Sequence, residues 1–213
     1  MEAYEEFEYK DHMVKIMYDE NPENPRTEWD NLAQMICFHG RYNLGDKHNF
    51  TVEEAKKLFD RKDVFSLPIY LYDHSGITIN TTGFSCPWDS GMIGGIVITK
   101  EQVRKEYGVK KISPKLKKRV YDYMRAEVET YDQFLTGEVY GYTIETKELQ
   151  CGCGSTIFDD TNDGCVKCVR CGYIVSEDAF ENEEVDSCWG FFGNPKEYMI
   201  PEIKSLIDGR CRV

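Results

Sequence analysis

Five of the nine cysteines in this 213-residue chain lie within 21 residues, at positions 151, 153, 165, 168 and 171. Thiolates at that density are ligands for a soft metal. Zinc takes four of them in a tetrahedron, supplied by two short turns that meet at the ion. Cys151-Gly-Cys153-Gly154 supplies one turn and Cys168-Val-Arg-Cys171-Gly172 the other. In both, glycine follows the second cysteine, where backbone N–H groups crowd towards sulfur. The preferred ligand set is Cys151, Cys153, Cys168 and Cys171; a competing set puts Cys165 in place of Cys171. Ser155 to Asp160 reads as an outgoing strand, Thr161 to Gly164 as a turn and Cys165 to Cys168 as the return, so the segment is expected to be a zinc ribbon over residues 148–180. An odd number of cysteines in one cluster fits Zn2+ in a reducing compartment better than a disulfide framework. The bland role for such an ion is to fold an insertion too small to have a core. The sharper role is to grip a protein partner, since Lys167 and Arg170 are outnumbered by Asp159, Asp160 and Asp163.

A second constellation has the residue types of a thiol enzyme. Tyr72-Asp73-His74-Ser75-Gly76 is followed by Phe84-Ser85-Cys86-Pro87-Trp88-Asp89-Ser90-Gly91. His74, Cys86 and Asp89 (or Asp73) supply a base, a nucleophile and an orienting acid. Cys188 and His39 are further candidates, including for a second metal site. The alternative is structural: cysteine is among the most buried residue types, and Trp88 and Trp189 beside Cys86 and Cys188 point to a packed interior.

These residues need elements to position them. Tyr9 to Tyr18 is β-like and ends at Asn21-Pro22-Glu23-Asn24-Pro25, a strong breaker. Leu32 to His39 is apolar enough for a strand or a short helix. Capping boxes at Thr51/Glu54 and Thr99/Gln102 start helices over Val52 to Arg61 and Lys100 to Tyr107. Leu67 to Tyr72 and Gly76 to Asn80 read as strands joined by a turn, and Ile93 to Thr99 as a strand whose glycines imply close backbone approach. Ser113 caps a long helix with Pro114 at its first position and Gly137 at its end. Glu138 to Thr146 and Val185 to Phe192 are expected to pair, bringing Lys147 near Glu184 and leaving the cysteine cluster at the tip of their hairpin. A final helix from Pro195 to Asp208 is expected to be interrupted or redirected at Pro201. Strands and helices without a βαβ rhythm indicate an α+β fold, with a mixed or antiparallel sheet packed by helices. The expected domains are a main body of 1–147 with 181–213, and the inserted ribbon of 148–180.

The net charge of −12 is uneven, with ten acids against three bases over 1–30 and eighteen against seven over 126–213. Residues 100–125 reverse this, with ten bases against three acids. Overall acidity argues against a general nucleic-acid binder, because affinity for phosphates accumulates with positive charge. Acidity also permits carboxylates to occupy a site built for phosphates. The acidic start Met1 to Glu6 lacks the basic and apolar regions of a signal peptide, and no stretch reaches the roughly 18 apolar residues of a membrane span. The expected location is the cytoplasm.

Three stretches carry a family resemblance. They are Trp29-Asp30-Asn31-Leu32 with Cys37-Phe38-His39 and Arg41-Tyr42-Asn43-Leu44-Gly45-Asp46; the His74 and Cys86 stretches; and Gly137-Glu138-Val139-Tyr140-Gly141-Tyr142 with Asp186-Ser187-Cys188-Trp189-Gly190-Phe191-Phe192-Gly193. Together they resemble a family of accessory proteins encoded by tailed bacteriophages, plasmids and other mobile elements, from about Asn24 to Gly193. In that family the last two motifs are commonly joined by a short turn, so the cysteine cluster stands out as an insertion. The cluster itself is similar to the C-terminal zinc ribbons of ribonucleotide reductases, over about 22 residues. The resemblance implies context: a bacterial host cell and an accessory role. The leading functional expectation is a non-enzymatic inhibitor that binds a host defence nuclease or its nucleoprotein complex, of anti-CRISPR or antirestriction type, through Glu2 to Glu8 and Glu177 to Asp186. The alternatives are a Cys86/His74-dependent hydrolase or modifying enzyme acting on a host target, and a zinc-ribbon adaptor with Lys110 to Arg125 as its nucleic-acid face.

Overall fold

The computed structural model describes residues 3–10, 12–147, 157–161, 165–176 and 182–210. The chain divides into two compact units, one of residues 21–138 and one of residues 1–20 with 139–213. The boundaries fall at the Asn21–Pro25 breaker and just after Gly137, so both carried a local stop signal, although the main body was expected as one domain. Both units mix helices with antiparallel sheets, in keeping with the α+β class.

In the 21–138 unit, strands β3 (Gln34–Cys37), β4 (Val64–Asp73), β5 (Ile77–Asn80) and β6 (Ser90–Thr99) form an antiparallel sheet in the order β3-β6-β4-β5. Strand period sorts β6 into two faces. Ile96 and Ile98 join Met35, Phe65, Ile69 and Ile79 against Val120, Met124, Val128 and Tyr131 of α3 (Pro114–Thr136). Val97 points the other way and joins Ile36, Val64 and Ala55 of α1 (Val52–Phe59). A helix covers each face. The glycine pair of β6 is needed here, because a Cβ on Gly94 would lie 2.0 Å from the Ile36 carbonyl oxygen.

Helix starts follow side-chain chemistry. The Glu54 N–H donates to Thr51 Oγ1 at 3.3 Å and the Thr51 N–H to Glu54 Oε2 at 2.8 Å. Thr99 and Gln102 repeat this reciprocal cap at α2 (Lys100–Glu106), with 3.1 and 3.0 Å. Ser113 caps α3 through the Leu116 N–H, and Gly137 closes it in the left-handed region at φ +77°.

In the other unit, β1 (Ala3–Tyr9), β2 (His12–Tyr18), β7 (Val139–Lys147) and β11 (Asn182–Phe192) form an antiparallel sheet in that order. One face packs Val14, Ile16, Tyr140, Tyr142 and Ile144 on Met199, Ile203 and Ile207 of α4 (Met199–Arg210). β7 and β11 pair as expected, but Lys147 stands opposite Asn182 and Glu184 opposite Glu145, two places from the expected register. Pro201 sits in the first turn of α4, where its missing N–H costs nothing, so the helix begins at Met199 and continues through the proline without interruption. β8 (Phe158–Asp160), β9 (Cys165–Cys168) and β10 (Ile174–Ser176) make a small separate sheet with β9 in the middle.

Candidate functional site

His74, Cys86 and Asp89 come together at one end of the β4–β6 pair. Tyr72 of β4 stands opposite Ser90 of β6, and beyond them the Asp73 N–H donates to the Asp89 carbonyl at 2.8 Å. Asn80 Oδ1 accepts from the Thr82 and Gly83 N–H groups and starts the loop carrying Cys86. Ser90 Oγ donates to the Cys86 carbonyl and fixes the loop's end. Asp89 Oδ2 then lies 3.6 Å from Cys86 Sγ and 3.4 Å from His74 Nδ1.

The order is wrong for a cysteine nucleophile. The carboxylate stands between thiol and imidazole, and no hydrogen bond joins His74 to Cys86, whereas nucleophilic catalysis needs the base on the nucleophile and the acid behind the base. His74 and Asp89 are also open to water, at 63% and 39% side-chain exposure.

The same corner carries exposed charged and aromatic side chains. Arg41 pairs with Asp73 and lies over the Tyr42 ring, which stacks on His39 at 5.0 Å and 10°. Trp88, expected in a packed interior, is 90% exposed. Its position corrects the structural reading of this motif: the loop is fixed through backbone and Asn80, and needs no indole anchor. Trp189 is half-exposed for a different reason. Its ring lies on Gly141 of β7, where a Cβ would come within 2.1 Å of it, and Gly190 makes the adjoining bulge at φ +83°. Cys188 beside it is exposed, and the third motif is thus a strand-pairing device.

The first motif resolves into a buried ion cluster that sequence reasoning missed. All five N–H donors of Arg26 are used. Nε and Nη2 hold Asp46 at 2.8 and 2.7 Å, Nη1 donates to Asn31 and Glu127 at 2.9 and 2.8 Å, and Nη2 also reaches the Ala33 carbonyl at 2.8 Å. Asp46 accepts in addition from the Met35 N–H, and Glu127 from those of Leu32 and Ala33. Burial works to lower the Arg26 pKa, but the bonds and charges of Asp46 and Glu127 outweigh it and raise it. Nothing in a single sequence marks Arg26 as buried. Beside it is an open cleft of about 1080 Å³ lined by His39, Tyr42, Asn43, His48 and Tyr131 among others. Cys37 also lines it, and burial, reinforced by Asp46, pushes its thiol up to about 12.

Of the cysteine cluster, Cys151 and Cys153 lie outside the described residues. Cys168 is fully buried at the end of β9, and the chain turns through Cys171 to Gly172, whose N–H donates to the Cys168 carbonyl at 2.9 Å with φ +74°. Cys165 is three places before Cys168 on the same strand, so the two project to opposite faces. Among the described residues no three His, Cys, Asp or Glu side chains converge on a metal position.

The charge divides by unit. Residues 1–20 with 139–213 contain twenty-one acids and nine bases, whereas residues 21–138 contain seventeen of each. The whole −12 belongs to the first of these. Its two outermost strands are both acidic, with Glu6 and Glu8 exposed on β1 and Glu184 exposed on β11.

No family model, curated protein or solved structure matches the chain. Among the described residues, no helix is long and apolar enough to cross a membrane.

Proposed function

We propose that the protein is an acidic, non-enzymatic inhibitor that occupies the basic, nucleic-acid-binding channel of a host defence nuclease of the CRISPR or restriction kind. It would act in the bacterial cytoplasm as an accessory protein of a mobile element. The observation that carries this reading is the confinement of the entire −12 charge to one unit, whose two outermost strands present Glu6, Glu8 and Glu184. Carboxylates spaced along strands resemble the charge of a phosphate backbone, and a strong field of one sign steers a basic partner into contact. The His74–Asp89–Cys86 order, with the acid in the middle, supports binding over thiol catalysis.

Zn2+ belongs to the same reading. The buried Cys168 and the Gly172 turn fit one half of a four-thiolate site, and the opposite-face placement of Cys165 favours Cys171 as its companion. Cys151 and Cys153 would supply the other half, and the ion would hold the small three-stranded sheet together. Elemental analysis should find one zinc per chain, lost in Cys168→Ser and kept in Cys165→Ser; zinc-free protein, or the reverse pattern, removes the ribbon.

The inhibitor reading is tested by titrating purified protein into cleavage assays with a panel of restriction and RNA-guided nucleases. Stoichiometric inhibition that weakens with salt supports it. Substoichiometric, time-dependent inactivation would indicate an enzyme, and no inhibition at any ratio in low salt would reject the proposal.

A further inference from the structure

The neutral sum of the 21–138 unit hides a local surplus. Between Arg104 and Arg119 there are eight bases and one acid, Glu106. All eight are exposed on α2, α3 and the loop joining them. Among the described residues none of the eight is in an ion pair, whereas Arg26, Arg41, Arg61 and Arg125 of the same unit each hold a carboxylate. A run that served only solubility would be expected to mix signs or to pair.

Their placement also runs against local stability. Lys115, Lys117, Lys118 and Arg119 crowd the start of α3, which has no acid in its first turn. The N-terminus of a helix is its positive end, so cations there are unfavourable unless something anionic arrives. An incoming phosphate meets both fields with the same sign. Aromatic rings accompany the charge: Arg119 lies over the Tyr107 ring, and Tyr123, a turn further along α3, is 48% exposed. Lys105, Arg119, Tyr107 and Tyr123 line a shared groove of about 630 Å³. Asp30 and Glu106 line it too, so selectivity for anions rests on the surplus around the groove.

We propose that this α2–α3 face binds single-stranded nucleic acid, with the bases of the protein on phosphates and Tyr123 as a stacking surface for a nucleobase. The overall charge of −12 does not forbid it. At physiological ionic strength charges beyond about 8 Å are largely screened, so the local surplus governs a contact at this face. The inference stands apart from the inhibitor reading, because it uses a different unit and needs no nuclease.

The test is fluorescence anisotropy of a labelled oligothymidylate with the full-length protein. If about four phosphates are neutralised, affinity should fall about 50-fold between 50 and 200 mM salt. Lys105→Glu with Arg119→Glu should weaken binding at least tenfold, and Tyr123→Ala at least fivefold. Glu6→Gln with Glu8→Gln should not weaken it. Should the first pair disturb the fold, Lys117→Gln with Lys118→Gln should give the same direction. Absent binding in low salt, or binding that survives both base-removing pairs, overturns the proposal. So does preference for duplex over single strand, or a basic face that proves to bind a second copy of the chain, seen as self-association abolished by Lys105→Glu with Arg119→Glu.

Discussion

Replacing Arg26 by methionine should be the most damaging single change to the 21–138 unit. The arginine side chain is 1% exposed, and Glu127 is only 7% exposed. Methionine keeps the apolar stem but removes five hydrogen bonds and the charge that compensates two carboxylates. Asp46 and Glu127 would keep their backbone donors but lose their cation. Breaking one member of a buried ion cluster costs about 3–5 kcal/mol, mostly from the charges left behind. At about 2–4 °C per kcal/mol for a chain of this size, the melting temperature should drop by about 6–20 °C. Differential scanning calorimetry reads this directly, and the loss should persist at high salt, since a buried pair is poorly screened. Adding Asp46→Asn and Glu127→Gln to Arg26→Met should recover part of the loss, because the orphaned charges are then gone. A loss under about 1 kcal/mol, or a triple variant worse than the sum of its parts, would show that Arg26 does not compensate buried charge.

Three smaller predictions concern contacts elsewhere in the two units. Burial raises the Asp132 pKa despite hydrogen bonds from Thr78 and Ile79, so its contribution is fully present below the ordinary carboxylate range and is lost as pH rises through the folded value; Asp132→Asn, which can still accept both bonds, should be at least as stable as the parent at pH 7 and flatten that decline in urea melts. Gly141→Ala should cost about 1–3 kcal/mol and red-shift tryptophan emission, because the new methyl must displace the Trp189 ring; unchanged emission would contradict the contact. With its thiol pushed up to about 12, Cys37 should escape thiol-specific reagents at pH 8 until the protein unfolds, whereas the exposed Cys188 should react at once, as mass spectrometry of labelled peptides can show.

Local chemistry was readable from the chain, and long-range compensation was not. Thr51, Thr99, Ser113 and Gly137 each act within four residues, so their types alone placed three helices. The β7–β11 pairing was legible from its flanking strands, but the register depended on bulges at Glu184 to Asp186 and beyond Cys188. β1 escaped notice because four glutamates in the first eight residues read as a solvated start, although half-buried Phe7 and Tyr9 alternate with exposed Glu6 and Glu8. Arg26 and Glu127 are 101 residues apart, and no periodicity links them. The residue types of His74, Cys86 and Asp89 suggested a thiol site, but neither their proximity nor their order can be read from sequence, since both depend on which loop the sheet places between the other two. Trp88 misled for a general reason: residue type predicts burial on average, and exposed aromatic knobs are where the average fails.

Under the proposed function the acidic unit acts by charge. Once a susceptible nuclease is in hand, the decisive measurement is surface plasmon resonance of the wild-type protein against Glu6→Gln, Glu8→Gln and Glu184→Gln combined, at 50 and 200 mM salt. The variant should associate at least tenfold more slowly in low salt, with a smaller salt dependence, while dissociation changes little. Equal association rates for the two proteins at both salt concentrations would mean that these carboxylates do not steer binding.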